Sequence, residues 1–246
     1  MDRRGFLALS AGGLLLPSAG SLVSSPVAAQ PLDLTAAKPW APHRIIWKLP
    51  ESPVRRIAWT VDDGGSLSTL RGFVDQMKRH PNFRLTFFVT SGYSPWTQIA
   101  RQLRPLVESG QAQMANHTRS HADLTHLNAS GIAHQLKDCQ HFLQDHYGVN
   151  PKPYFRPPFG YYNDYVIRSA AAAGFYTPTM WYGTLGDSGS ISSRRIYELG
   201  RAWMHDETIL ISHANSTSVL SQIDNLRTLL RNRNLQTVTL DDVYRH

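Results

Sequence analysis

The chain has 246 residues, 41% of them hydrophobic and 17% charged, including ten Tyr, nine Phe and six Trp. That is enough apolar material for one sizeable core and suits a single α/β domain; there is no repeat, low-complexity segment or second domain. The formal charge of +7 comes from scattered Lys and Arg, with no dense basic run beyond the N-terminus. This excludes a nucleic-acid stripe and leaves weak attraction to an anionic envelope or polymer.

Taken in order, the chain opens with Asp2-Arg3-Arg4-Gly5-Phe6-Leu7, a mild apolar stretch from Leu7 to Leu22, and Val27-Ala28-Ala29. Paired arginines, Phe-Leu and a small-residue cleavage site in that order resemble a twin-arginine (Tat) secretion signal over residues 1–29. Gly12, Gly13 and Pro17 interrupt the apolar run, which argues against a stable membrane span. The expectation is export by the Tat machinery to a periplasmic or extracellular location.

Residues 30–53, with Pro31, Pro39 and Pro42, read as a linker or arm, in which Ile45–Leu49 is a candidate edge strand. The catalytic domain is expected over 54–246. Arg56–Val61 reads as a buried strand, 66–79 as an amphipathic helix, Arg84–Val89 as a strand, and 96–108 as a helix with Pro105 inside it. Gln113–Asn116 is a short strand, 129–146 a helix, 163–173 a helix stopped by Gly174, and Tyr176–Trp181 strand-like. A helix near 193–204, strand Thr208–Ser212, a helix over about 218–233 and strand Gln236–Leu240 complete the chain. Such alternation means parallel β/α units. The single Cys139 falls in a helical pattern and reads as a small buried residue, since it cannot form an internal disulfide.

Polar residues with chemical potential fall after the strands, on the face where barrel-like folds build sites. Asp62-Asp63-Gly64-Gly65 ends the first strand. Adjacent carboxylates repel, so a fold keeps them where a metal, an arginine or both compensate, and the glycines let backbone approach a ligand. His117-Thr118-Arg119-Ser120-His121 puts two imidazoles four residues apart. On a helical turn both would share one face. With one Asp they make a two-nitrogen, one-carboxylate set suited to zinc, cobalt or another first-row divalent ion, with coordination positions left open. Metal-assisted hydrolysis also needs a base and an acid. Asp62 fits the base, Arg156 a bidentate partner orienting it, and His213 the acid.

At these residues the chain resembles the polysaccharide deacetylases, carbohydrate esterase family four with a NodB-like domain, from about residue 54 to 243. Thr60-Val61-Asp62-Asp63-Gly64 is similar to the family's Thr-Phe-Asp-Asp-Gly motif, which implies Asp62 as base and Asp63 as metal ligand. His117 and His121 match its paired metal histidines, and Arg156-Pro157-Pro158-Phe159-Gly160 its Arg-Pro-Pro-x-Gly groove wall. Ile209-Leu210-Ile211-Ser212-His213 is similar to the Leu-x-Leu-x-His motif, implying His213 as acid and Ile211 in an apolar acetyl pocket. The resemblance implies a distorted (β/α) barrel of about seven parallel strands, a divalent metal (zinc first), and an acetylated glycan as substrate. Pro157, Phe159, Gly160, Trp181, Asp187 and Ile211 are the expected substrate-side residues.

One motif departs. Where the family has Asp-x-x-Asp-Trp, this chain reads Thr184-Leu185-Gly186-Asp187-Ser188. Asp187 retains the position whose Asp tunes the acid histidine, but the pocket-walling Trp is absent, with Trp181 or Tyr182 as candidate replacements. Trp59, Tyr93, Trp96, Phe159, Tyr161, Tyr162 and Trp181 are candidates to stack on sugar faces, about half of them expected in the core. Hydrolysis of a non-sugar amide, or a catalytically silent glycan-binding protein, are the alternative functions.

Overall fold

The computed structural model describes residues 37–246. The expected secretion signal over residues 1–29, and the start of the arm, lie outside the described residues.

The architecture follows from a two-residue alternation along β1 (Arg56–Asp63). Ile57, Trp59 and Val61 face outward into a helix-covered core with Phe73, Phe87 and Trp96. Ala58 faces inward with Phe88, Ala115, Tyr154 and Ile209, and Thr60 and Asp62 share that inner face by the same alternation. A strand apolar on one side and small or polar on the other builds a barrel whose inside is available for chemistry. Each large aliphatic or aromatic side chain removed from water on the outer face contributes about 1.5–3 kcal/mol.

Around β1 the strands β2 (Leu85–Val89), β3 (Ala112–Asn116), β4 (Tyr154–Phe155), β5 (Thr177–Pro178), β6 (Gly183–Thr184) and β7 (Ile209–His213) form one parallel sheet. Their order is β5-β4-β3-β2-β1-β7-β6, and β8 (Gln236–Thr237) pairs with the start of β1. The sheet curls into an incomplete barrel, as expected for the fold. Its register sets Asp62 beside both Phe88 and His213.

Helices α1 (Leu67–Arg79), α2 (Pro95–Glu108), α3 (Ala129–Tyr147), α4 (Asp164–Ala172), α5 (Ser193–Trp203), α6 (Ile223–Asn232) and α7 (Leu240–Val243) connect or follow the strands. Side chains of Ser66, Asn128, Asn163 and Ser192 cap the N-termini of α1, α3, α4 and α5, satisfying backbone N–H groups that the helix leaves free. Gly148 ends α3 at φ 71°, a left-handed position that suits glycine. Cys139 is buried in α3, and burial pushes its thiol pKa up to about 12.

Three strand expectations contract. Ile45–Leu49 forms no ladder: Ile46 and Lys48 make isolated bridges to Thr179 and Thr208, stitching the arm across the gap between the two ends of the sheet. Tyr176–Trp181 shrinks to Thr177–Pro178. Gln236–Leu240 shrinks to Gln236–Thr237 because Thr239 forms a capping box with Asp242 and starts α7. The expected helix over 218–233 begins as a tighter 3-10 segment, Thr217–Gln222.

Candidate active site

Strand alternation alone would send Asp62 and Asp63 to opposite faces. The backbone prevents this: Asp63 adopts φ 71° and Gly64 φ 93°, ending the extended run so that both carboxylates turn to the same mouth. A left-handed Asp is uncommon and costs energy. It is held by Trp96, whose indole Nε1–H donates to the Asp63 carbonyl at 2.7 Å. Gly64 is obligatory there, because a Cβ would sit 2.2 Å from the Trp96 ring.

His117 and His121 meet Asp63 across the mouth. The expected helical turn is absent; residues 117–123 are a loop, with Thr118 at φ 71° and His121 at φ 57°. This folded-back backbone, rather than a helix face, brings the rings to 4.9 Å between centroids. His117 Nδ1–H donates to the Arg156 carbonyl at 2.7 Å. Since a carbonyl only accepts, that bond leaves Nε2 as the free donor atom toward the site. Asp63 Oδ1 lies 3.4 Å from His117 Nε2 and 3.2 Å from His121 Nε2, and it is buried with no hydrogen-bond partner among the described residues. Ligand atoms about 2.1 Å from a tetrahedral ion stand about 3.4 Å from one another. The three residues therefore fit a divalent metal in both geometry and donor chemistry.

The electrostatics are consistent with that grouping. Burial alone would raise the Asp63 pKa, but the close approach of the His117 imidazole and the positive charge that His117, His121 and His213 can carry hold it well below the usual carboxylate range. Burial lowers His117, yet Asp62 and Asp63 outweigh it and raise its pKa. His121 is lowered, by burial and by neighbouring His117.

Asp62 is paired differently. Arg156, wholly buried, places Nη1 2.5 Å from Asp62 Oδ1 and 2.8 Å from Thr60 Oγ1. The expected bidentate pairing is absent: Nε donates to the Thr179 carbonyl and Nη2 to the Met180 carbonyl. The guanidinium also lies 4.0 Å from the Phe88 ring centroid. With its donors fixed by backbone, the arginine locks one carboxylate oxygen while Oδ2 faces the metal cluster, 3.7 Å from His117 Nε2.

His213 ends β7 opposite Asp62. Its Nδ1 is 3.1 Å from Asp187 Oδ1, and Asp187 is 1% exposed. Burial lowers the His213 pKa, but the Asp187 hydrogen bond and the charge of Asp62 outweigh it, so the net shift is upward. Asp187 thus lies against the histidine and is closed off from solvent. Ile211, two residues earlier on the same inner face, is 4% exposed.

The stretch expected to wall a groove is a 3-10 turn, Pro158–Gly160, preceded by Pro157. Phe159 sits at φ 60° with its ring 4.5 Å from His121. A Cβ at Gly160 would come within 2.8 Å of the Trp181 ring, so that glycine lets Trp181 close against the turn. Phe159, Tyr161 and Tyr162 are exposed, and Trp181 is partly so. Trp59 and Trp96 are fully buried. Both belong to the core and are unavailable to a sugar.

Sequence reasoning missed the Trp96 clamp on Asp63, the Thr60 hydroxyl beneath Arg156, and Asn215, whose Nδ2–H donates to Asp63 Oδ2 at 2.6 Å. All three are contacts between distant segments. A faint signal existed for Asn215, a polar residue two positions beyond His213.

A family model for polysaccharide deacetylase matches residues 50–178, just over half of the chain. The match includes Asp62, Asp63, His117, His121 and Arg156 and ends before Asp187 and His213. Peptidoglycan-N-acetylglucosamine deacetylase PgdA of Listeria monocytogenes is 28% identical over 201 residues, covering 80% of this chain and 41% of that protein. The chain therefore corresponds to about two fifths of the length of that relative. Among solved structures, peptidoglycan deacetylase PdaC from Bacillus subtilis superposes with a TM-score of 0.67 at 22% identity, over 79% of this chain and 92% of that one. BA3943, a CE4 family pseudoenzyme from Bacillus anthracis, superposes with a TM-score of 0.71 at 18% identity, over 82% and 69%. These two likenesses are of fold.

Proposed function

The chain belongs to the polysaccharide deacetylase family, and from that membership we propose an exported, metal-dependent hydrolase that removes N- or O-acetyl groups from a cell-envelope or extracellular glycan. The supporting observation is the convergence of three groupings on one mouth: Asp63 with His117 and His121, Asp62 with Arg156, and His213 with Asp187. The Tat signal read in residues 1–29 supports export, and the 28% identity to a peptidoglycan deacetylase supports an acetylated glycan.

Asp63, His117 and His121 would hold the divalent metal, zinc first and cobalt or another first-row ion next. When bound, such an ion polarises an acyl carbonyl and acidifies water. Asp62, with Oδ2 unencumbered by Arg156, takes the proton from the attacking water. Arg156 keeps that carboxylate in one orientation and neutralises its charge. The amides of Gly160 and Tyr161 donate to the carbonyls of Pro157 and Pro158, whereas the Phe159 amide has no acceptor among the described residues and can serve the oxyanion. His213, whose pKa is raised by the Asp187 hydrogen bond and the charge of Asp62 against burial, passes a proton to the departing amine or alkoxide. Phe159, Tyr161, Tyr162 and Trp181 supply apolar faces for the sugar.

The test is acetate release by the purified protein from acetylated chitooligosaccharide, peptidoglycan and xylan, with zinc, with cobalt and with chelator. Metal-dependent acetate from any of them is the expected result and begins to name the glycan. Silence on all three, with metal bound, points instead to a non-sugar amide or to glycan binding without turnover. The presence of both Asp62 and His213 weighs against the latter, because binding alone requires neither.

A further inference from the structure

We infer that Asn215 is a positioning residue for the metal-ligating carboxylate Asp63. The inference rests on the metal reading above and assigns a role to a residue outside the three ligands. Asn215 Nδ2–H donates to Asp63 Oδ2 at 2.6 Å, and its Oδ1 accepts from the Gly65 backbone N–H at 3.2 Å. One amide therefore bridges the side chain of Asp63 and the backbone two residues on.

The bridge sorts the two oxygens of Asp63. Oδ2 is occupied by Asn215, while Oδ1 has no donor and lies with the two imidazole nitrogens. A free carboxylate rotates broadly about its last torsion and can present either oxygen, or both, to a cation. Tied to Asn215, Asp63 presents one oxygen, leaving room at the metal for water and an acyl oxygen. The support is itself rigid: Ala214 N–H donates to the Asp62 carbonyl at 3.0 Å, and Ser66 N–H donates to the Ala214 carbonyl at 2.8 Å. The 213–215 segment is thus sewn to the Asp62–Ser66 turn, so His213 and the brace on Asp63 share one support. Gly65 belongs to this arrangement, since a Cβ there would stand 3.1 Å from Asn215 Oδ1.

Hydrogen-bond partners of metal ligands characteristically change metal affinity by about 10- to 100-fold when removed. The experiment is zinc titration of the metal-free protein in competition with a chromophoric chelator, for wild type, Asn215→Ala and Asn215→Asp, with thermal melting of each metal-free protein as the folding control. The expected result is zinc binding about 10- to 100-fold weaker for Asn215→Ala, with metal-free melting unchanged because the side chain is exposed. Asn215→Asp keeps the shape but loses the donor, and is expected to weaken binding at least as much by setting two carboxylates together. Affinity equal to wild type in Asn215→Ala overturns the inference and leaves the metal site standing. Tighter binding in Asn215→Asp overturns it too, because position 215 would then be acting as a ligand. Wild-type protein that takes up no zinc overturns both this inference and the metal reading.

Discussion

Two carboxylate–cation pairs meet at the ends of neighbouring strands, where Asp62 of β1 is in register with His213 of β7, and they are built in opposite ways. Arg156 and Asp62 are almost wholly buried, and the guanidinium has one Nη1 contact to the carboxylate while its other donors hold Thr60, Thr179 and Met180. His213 is 15% exposed and touches a single carboxylate, Asp187. In the first pair the cation is a permanent charge, stripped of water and fixed by the barrel. In the second the cation titrates and still reaches solvent. A base that must keep one orientation suits the former surroundings, and an acid that must lose and regain a proton suits the latter.

Breaking the fixed pair is expected to have the largest effect. Arg156→Met leaves Asp62 buried beside Asp63 without its counter-charge, a loss of about 3–5 kcal/mol. Thermal or urea unfolding should show it, with activity abolished. A melting temperature near wild type would mean that Arg156 contributes little to the fold.

Asp62→Asn is expected to separate chemistry from structure. The amide oxygen still accepts from Arg156, and Thr60, Thr179 and Met180 still hold the guanidinium, so the stability loss should be smaller than for Arg156→Met, with the fold and zinc binding retained. The rate of acetate release should fall by about 10²–10⁴-fold through loss of the base. Turnover within a few-fold of wild type would remove Asp62 from the mechanism.

Changing the titratable pair should act on pH dependence first. In the proposed mechanism His213 acts as the acid in its protonated form, and its pKa is raised by Asp187 and Asp62 against the opposing effect of burial. Activity is therefore retained below that raised pKa and lost as pH rises through it. Asp187→Asn removes one source of the upward shift, so the alkaline limb of the rate profile should move to lower pH. An unmoved limb would show that Asp187 does not set the acid.

The smallest effect is expected outside both pairs. Tyr161 is 57% exposed beside the groove turn, and an aromatic contact contributes about 0.5–1.5 kcal/mol. Tyr161→Ala should raise KM for a glycan by about 2- to 10-fold and leave kcat unchanged. An equal fall in kcat would place the ring nearer the reacting centre than a stacking role allows.

The amino-acid order by itself determined the parallel β/α alternation and a buried strand over Arg56–Val61. It also marked the residues that meet at the mouth: Asp62, Asp63, His117, His121, Arg156, Asp187 and His213. These were legible because hydrophobic period and short motifs are local, and because strand ends in such a fold share one face. The tertiary structure alone decided how those residues meet. Left-handed backbone at Asp63, Thr118 and His121 is unforeseeable from residue type, since none is glycine and each conformation is sustained only by its surroundings. Trp59 and Trp96 offered the same aromatic surface as Trp181 in sequence, yet the core claimed them. The Asn215 brace, the Thr60 hydroxyl under Arg156 and the stitching of Ile46 to Thr179 each join segments far apart in the chain. Such contacts carry no period or spacing, and they exist only once the barrel has curled and brought those segments within hydrogen-bond distance.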